Sequence, residues 1–273
     1  MNPTIGVATN VRQHETRMSF MCCRVFVCSW LILGFAVFAA AQRGQPPGPP
    51  PTPRASAPID LTGNWVSVVT EDWRWRMLTP RKGDYASVPL SAEGRKVADT
   101  WDPAKSATDG CKAYGAAAIM RVPGRLRIAW ENDTTLRIDA DAGQQTRLLH
   151  FDKSLTAPAE RTWQGHTVVE WERILQPGGL GVSIQQAPPR IGSLKGVTTN
   201  LLAGYLRKNG VPYSENIAVT EYFDRLTVEG SDWLTVFTIV DDARYLSQQF
   251  ITSTHFKREP DASGWNPTPC GAK

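Results

Sequence analysis

Few side chains in this 273-residue chain have the type and setting to do chemistry. The first is Glu71. It lies in the run Trp65–Met77, where alternate positions carry Trp65, Val69, Trp73, Trp75 and Met77, and the positions between end in Asp72, Arg74 and Arg76. A carboxylate held among aromatic rings is harder to ionise, which suits it to acid–base work or to anchoring a ligand. The plainer reading is that the chain has left the core by then and Glu71 sits on a rim. His150, His166 and His255 are the histidines beyond residue 41. His166 and Glu170 share one face of a strand, yet no two histidines have a ligand spacing such as H-x-H or H-x-x-x-H, so no metal site is read. Arg147 shares a face with Gln145 and Leu149, and a structural ion pair with Glu170 or Glu221 suits it better than a role as substrate clamp.

Other signatures are missing. No glycine-rich phosphate loop precedes a helix, and no G-x-S-x-G elbow occurs, which speaks against nucleotide use and a hydrolase triad. No cofactor is expected. Nine tryptophans remain beyond residue 41; most of them should be core, with two or three free to line a cavity for a flat apolar molecule. Arg74 or Arg76 over such rings would be ordinary cation–π contacts.

These residues sit in a chain that begins as an exported one. Arg24 precedes an apolar run from Val25 to Phe38, and Ala39-Ala40-Ala41 supply small residues for cleavage before Gln42. Positive flank, short apolar core and small-residue exit define a secretory signal over residues 1–41, with Met18 an alternative start. The run is shorter than the ~20 residues of a spanning helix, and no later stretch is long enough. Periplasmic or extracellular localisation follows. Removing residues 1–41 takes out Arg12, Arg17, Arg24 and Glu15, leaving 27 basic and 25 acidic residues. A net charge of +2 without a basic block gives no case for nucleic acid as a partner. The remaining cysteines, Cys111 and Cys270, read in an oxidising compartment as one disulfide.

Residues 42–58 are proline-rich and predict an extended spacer. The domain is expected over 59–273. Its period is mostly two. Arg125–Glu131, Thr134–Ala140, Gln144–Phe151, Thr162–Ile174, Ser193–Leu201, Ile217–Arg225, Trp233–Asp241 and Phe250–Lys257 all follow the first run as strands. Asn132-Asp133, Ala142-Gly143, Asn209-Gly210-Val211-Pro212 and Glu229-Gly230-Ser231 are turns. Ser91 caps one short helix from Ala92 towards Trp101, Gly115–Met120 is a helical turn or tight crossing, and Gly179–Arg190 is irregular. The fold class is mainly β: a single antiparallel up-and-down barrel of about eight strands, with one short helix. Such a barrel has room for side chains or one small ligand.

Asp60-Leu61-Thr62-Gly63-Asn64-Trp65 resembles the opening of lipocalin-like and avidin-like barrels, whose Gly-x-Trp leads the first strand and plugs one end. Residues 60–258 are similar to a group of exported bacterial proteins of unknown function. The matching features are Leu61-Thr62-Gly63-Asn64-Trp65, Cys111, Arg147, the run Trp163–Glu172 (W-x-G-x-x-V-x-x-W-E), Glu221-Tyr222-Phe223, and Phe250 with Phe256. The chain departs from that pattern after Glu172, where Arg173-Ile174-Leu175 replaces G-D-T-L. The resemblance implies a lipocalin-like barrel and export, and no activity.

The leading expectation is a binding module for a small apolar or aromatic molecule, with Trp73, Trp75 and Trp171 as lining and Glu71 or Arg147 setting orientation. Two alternatives stand beside it. One is a barrel enzyme performing acid–base isomerisation or cyclisation through Glu71 or His150. The other is a structural envelope protein with a filled barrel and a surface partner. Ligand identity and oligomeric state are not encoded in these patterns.

Overall fold

The structure is a computed structural model that describes residues 48–105, 110–173 and 192–271. The signal segment expected over 1–41 and the irregular stretch 179–190 lie outside the described residues. Among the described residues two short α-helices, α1 (Trp73–Arg76) and α2 (Ala92–Ala98), accompany eleven strands. In chain order these are β1 (Gly63–Val68), β2 (Arg125–Asn132), β3 (Thr135–Ala140), β4 (Gln145–His150), β5 (His166–Arg173), β6 (Gly192–Thr199), β7 (Gly204–Arg207), β8 (Val211–Tyr213), β9 (Ala218–Val228), β10 (Ser231–Asp241) and β11 (Phe250–Glu259). Among the described residues no helix is long and apolar enough to cross a membrane.

Nine strands close into a barrel in the order β1-β11-β10-β9-β6-β5-β4-β3-β2. Every run read as a strand contributes, but the strands number nine rather than about eight, and the barrel is not purely antiparallel. The two corrections have one cause. Strands can alternate up and down around a closed ring only if their number is even, so a ring of nine must contain a parallel neighbour. That seam is β4 with β5, paired only through Leu149 with Thr167 and His150 with Val168. The strand expected from Thr162 starts later because Thr162–Gly165 forms a turn: the Gly165 amide donates to Thr162, and Gly165 takes a positive φ of 61°.

The turns follow their residues. Glu229 and Gly230 both adopt positive φ, 49° and 74°, in the two-residue connection of β9 to β10, the geometry that matches strand twist. Asn132 accepts from the Thr134 amide at 2.9 Å at the β2–β3 turn. Ser91 caps α2 by accepting from the Gly94 amide at 3.0 Å, and the helix ends at Ala98 rather than near Trp101.

One end of the barrel is covered by a cap drawn from residues 85–98, Ala116 and Ala117, the β7–β8 hairpin and Leu246. Tyr85, Val88, Leu206, Tyr213 and Leu246 pack there against Val219, Val240 and Phe250. Gly115 is where the cap comes closest: a Cβ there would stand 2.4 Å from the Tyr213 hydroxyl and 2.8 Å from the Trp163 carbonyl. Small residues around it thus serve the tight crossing that Gly115–Met120 suggested, ending in a 3-10 turn at Ile119–Arg121. Cys111 and Cys270 form the expected disulfide, with Cα atoms 5.1 Å apart. At the other end, the spacer expected to run to residue 58 gives way to a folded segment. Pro53 accepts from the Trp171 indole at 2.9 Å, the Arg54 amide donates to Asp133, and Pro58 is buried.

The barrel interior is occupied by side chains. Trp65, Leu136, Leu149, Leu194, Phe223 and Phe256 are all fully buried. Trp65 is fixed by its indole, which donates to the Leu61 carbonyl at 3.0 Å. A polar group crosses this interior: Arg147 on β4 donates to both oxygens of Glu221 on β9, at 3.0 and 2.5 Å, and also to Thr198 at 3.3 Å. Side-chain exposures of 2% and 0% make this a true interior ion pair. Removing one partner of such a pair is costly because it strands the other charge. Glu221→Leu is therefore expected to cost about 3–5 kcal/mol in urea unfolding, and the double variant Arg147→Met, Glu221→Leu to recover most of it. A single-variant cost within about 1 kcal/mol would show the pair to be dispensable.

Candidate functional site

The residues expected to line a ligand are not brought together. Trp171 lies towards the end of the barrel where residues 53–60 pack, in an aromatic group with Trp130 and Phe151 at centroid separations of 6.5 and 5.4 Å. Trp73 is 65% exposed. The strand expected to carry it stops at Val68, and Asp72 turns the chain with a φ of 52° into α1. A helical turn reads W-R-W-R with a different period from a strand, so Trp73 and Trp75 no longer share a face. Glu71 accordingly sits past the end of β1, on the rim, as the plainer reading had it. Arg147 is spent on Glu221.

His150 also has a different neighbour from a carboxylate. Its ring stacks on His166, centroids 5.4 Å apart and planes at 21°, beside the parallel seam. Burial, and then the charge of His166, pushes the His150 pKa below its ordinary value of 6.5. Among the described residues no three His, Cys, Asp or Glu side chains gather as a metal-ligand set.

What the fold does assemble is a cluster of arginines where the barrel rim meets the cap. Arg76 comes from α1, Arg121 from the 3-10 turn and Arg207 from the end of β7; their residue exposures are 5%, 6% and 4%. Arg76 donates to the Arg121 carbonyl at 3.0 Å, to Glu71 Oε1 at 2.5 Å and to Ser67 at 3.4 Å. Arg121 donates through Nη2 to Asp72 Oδ2 at 2.8 Å. The left-handed turn at Asp72 thus does two things: it starts α1 and aims a carboxylate at Arg121. Arg207 is less well met. Its Nη1 donates to the Ala86 carbonyl at 2.7 Å, and its Cζ lies 4.8 Å from the centre of the Trp75 ring. Its Nε and Nη2 have no partner, nor does Arg121 Nη1. Native proteins leave few such buried donors unsatisfied, and each calls for a reason.

The three guanidinium groups line a small cleft with Trp75, Ala113, Ala118, Val122, Leu206 and Lys208, and its free volume of about 20 Å³ is room for roughly one water. Desolvation shapes the charges around it. Burial lowers the Arg76 pKa, with Glu71 opposing. Burial, and then the charge of Arg121, lowers Arg207 to about 10, with Asp72 and Asp84 opposing. A cationic group in that position gains from an anion more than a hydrated one would.

Beside the cleft lies a second polar group. His255 on β11 places Nδ1 3.1 Å from Glu71 Oε2 and 3.1 Å from the Thr70 hydroxyl, which itself donates to Glu71. Glu71 therefore links His255 to Arg76. Sequence reasoning singled out Glu71, took His255 only as one of three histidines without a metal-ligand spacing, and missed Arg121 and Arg207. A signal existed for Arg121, since Met120-Arg121-Val122 sets a lone charge against apolar neighbours; Arg207 is followed by Lys208 and Asn209 and carries no such mark. A scan against protein-family models gave no match, and searches of curated proteins and of solved structures gave none either.

The histidine pair yields a pH prediction. Because the folded His150 pKa is depressed, the unfolded chain binds more protons below about 6.5, and stability that is complete above that value is lost as pH falls through the folded pKa. His150→Phe should keep the ring stacking and lose the titration. Urea midpoints at about pH 7 and about pH 5 are expected to differ less in the variant than in the parent; equal differences would remove His150 from the acid response.

Proposed function

We propose that this is an exported small-molecule-binding protein on a lipocalin-like barrel, with its ligand at the rim cleft and the ligand acidic. One observation carries the reading: three buried guanidinium N–H donors, on Arg121 and Arg207, stand unpartnered around a cleft. An apolar or aromatic ligand inside the barrel is a weaker fit, since the interior holds Trp65, Phe223, Phe256 and the Arg147–Glu221 pair. Trp75 already has Arg74 and Arg207 near its ring, at 4.9 and 4.8 Å. Export and kinship to the exported barrel group rest on the signal pattern and the matched motifs; the disulfide agrees with both.

A second reading has one observation in its favour. The His255–Glu71 contact is a carboxylate–imidazole pair of the kind that moves protons, and it adjoins Arg76, a wall of the same cleft. An acid–base enzyme acting on a bound anion would lose turnover in Glu71→Gln while still binding that anion.

The binding reading makes an unusual stability prediction. A residue kept for a ligand is under no obligation to stabilise the empty protein. Arg207→Met removes a buried cation that lacks an anionic hydrogen-bond partner, and is expected to leave thermal stability in chloride unchanged or higher. Sodium acetate, phosphate or sulfate at matched ionic strength should raise the melting temperature of the parent and not of the variant, in line with ligand linkage. An Arg207→Met variant several degrees less stable in every buffer, with parallel salt responses, would make Arg207 a structural residue and end the proposal.

A further inference from the structure

We infer that the rim cleft selects a single carboxylate on a small uncharged body, with Arg207 as the residue that recognises it; this rests on the reading of the cleft as a ligand site. Most charges in the cluster are already used. Glu71 is spent on Arg76 and Asp72 on Arg121. Asp84, the next nearest carboxylate, is engaged by Arg74 and by the Trp75 indole. Arg207 has only a carbonyl and a ring as partners, so one positive charge is left without an anionic hydrogen-bond partner in the buried cluster. Lys208 also lines the cleft, but it is only partly buried, with its ammonium 5.4 Å from the Tyr114 ring centre; water screens a charge there more than one deep in the cluster. One buried uncompensated cation calls for one negative charge.

Donor geometry narrows the choice. The free nitrogens of Arg207 are Nε and Nη2. These two form one edge of the planar guanidinium, with parallel N–H bonds spaced to meet the two oxygens of a carboxylate. The opposite nitrogen, Nη1, is tethered to Ala86 and holds that edge in place. Arg121 Nη1 offers a third donor for a remaining lone pair. The free volume of about 20 Å³ holds roughly one water, so a ligand enters only as the cleft widens, and a flat two-oxygen group asks for less widening than a tetrahedral one. A phosphate dianion would also bring a second charge with no buried cation to meet it. Ala113, Ala118, Val122 and Leu206 complete the wall. They offer contact to a methyl or methylene group and no donor to a second polar one.

Nuclear magnetic resonance titration of the folded mature domain, disulfide intact, tests this with acetate, propionate, malonate and phosphate at matched ionic strength. Saturable shifts are expected for acetate and propionate, with propionate at least as tight, and affinities at least tenfold weaker for malonate and phosphate. Arg207→Lys is the decisive variant, because it keeps the charge and loses the two-donor edge; at least a tenfold loss of propionate affinity is expected. Malonate or phosphate binding as tightly as propionate, or Arg207→Lys binding like the parent, would overturn the carboxylate assignment while leaving an anion site in place. Absence of saturable shifts with all four anions would overturn the site itself.

Discussion

A guanidinium taken out of water must be met by charge and acceptors, and among the described residues four stand at 6% exposure or less: Arg76, Arg121, Arg147 and Arg207. The cost of stranding such a group is several kcal/mol, enough to cancel much of a domain's net stability. Each one therefore dictates what stands around it. Arg147 requires Glu221 on the far side of the barrel, together with Thr198, which in turn shares a hydrogen bond with Thr167 at 2.8 Å. That requirement puts polar groups in the middle of the interior and ties β4, β5, β6 and β9 together. Arg76 and Arg121 require Glu71 and Asp72, and so set the path of the chain as it leaves β1. Arg207 has no such carboxylate: its hydrogen bond goes to the Ala86 carbonyl, and two of its nitrogens are unpartnered.

The barrel's parity is the second constraint. Nine strands impose one parallel neighbour, and the fold puts it where the connection between β4 and β5 is long. The seam has only two register pairs. The Arg147–Glu221 bridge and the Thr167–Thr198 contact lie beside it and hold the strands that flank it. The same seam brings His150 against His166, so the one place where the ladder is short is also where two imidazoles meet.

Much of the barrel was legible because a strand half-buried in a barrel must alternate. Leu126 and Ile128, or Leu234 and Val236, announce their face without help from the rest of the chain. The Ser91 cap and the Glu229-Gly230 turn were legible for equally local reasons, and the Cys111–Cys270 bridge because two cysteines leave only one pairing. Residues 69–77 were misread because aromatic residues at alternate positions imitate a strand; whether Asp72 adopts a left-handed turn depends on Arg121, 49 residues further on. The parallel seam was not legible, since pairing direction is a property of closure. The arginine cluster failed for a related reason. Arg76, Arg121 and Arg207 come from three separate elements, and no period or spacing in the chain links them.

The account's central claim is that the barrel is filled and that recognition happens at its rim, on Arg207. A crystal structure of residues 42–273 soaked in sodium bromoacetate tests it most directly, because anomalous scattering locates bromine without reference to any expectation. The account predicts a peak within the cleft, with the carboxylate on Nε and Nη2 of Arg207 and bromine towards Val122 and Leu206. A peak inside the barrel near Arg147 and Glu221, or no ordered bromoacetate together with protein groups occupying those two nitrogens, would contradict it.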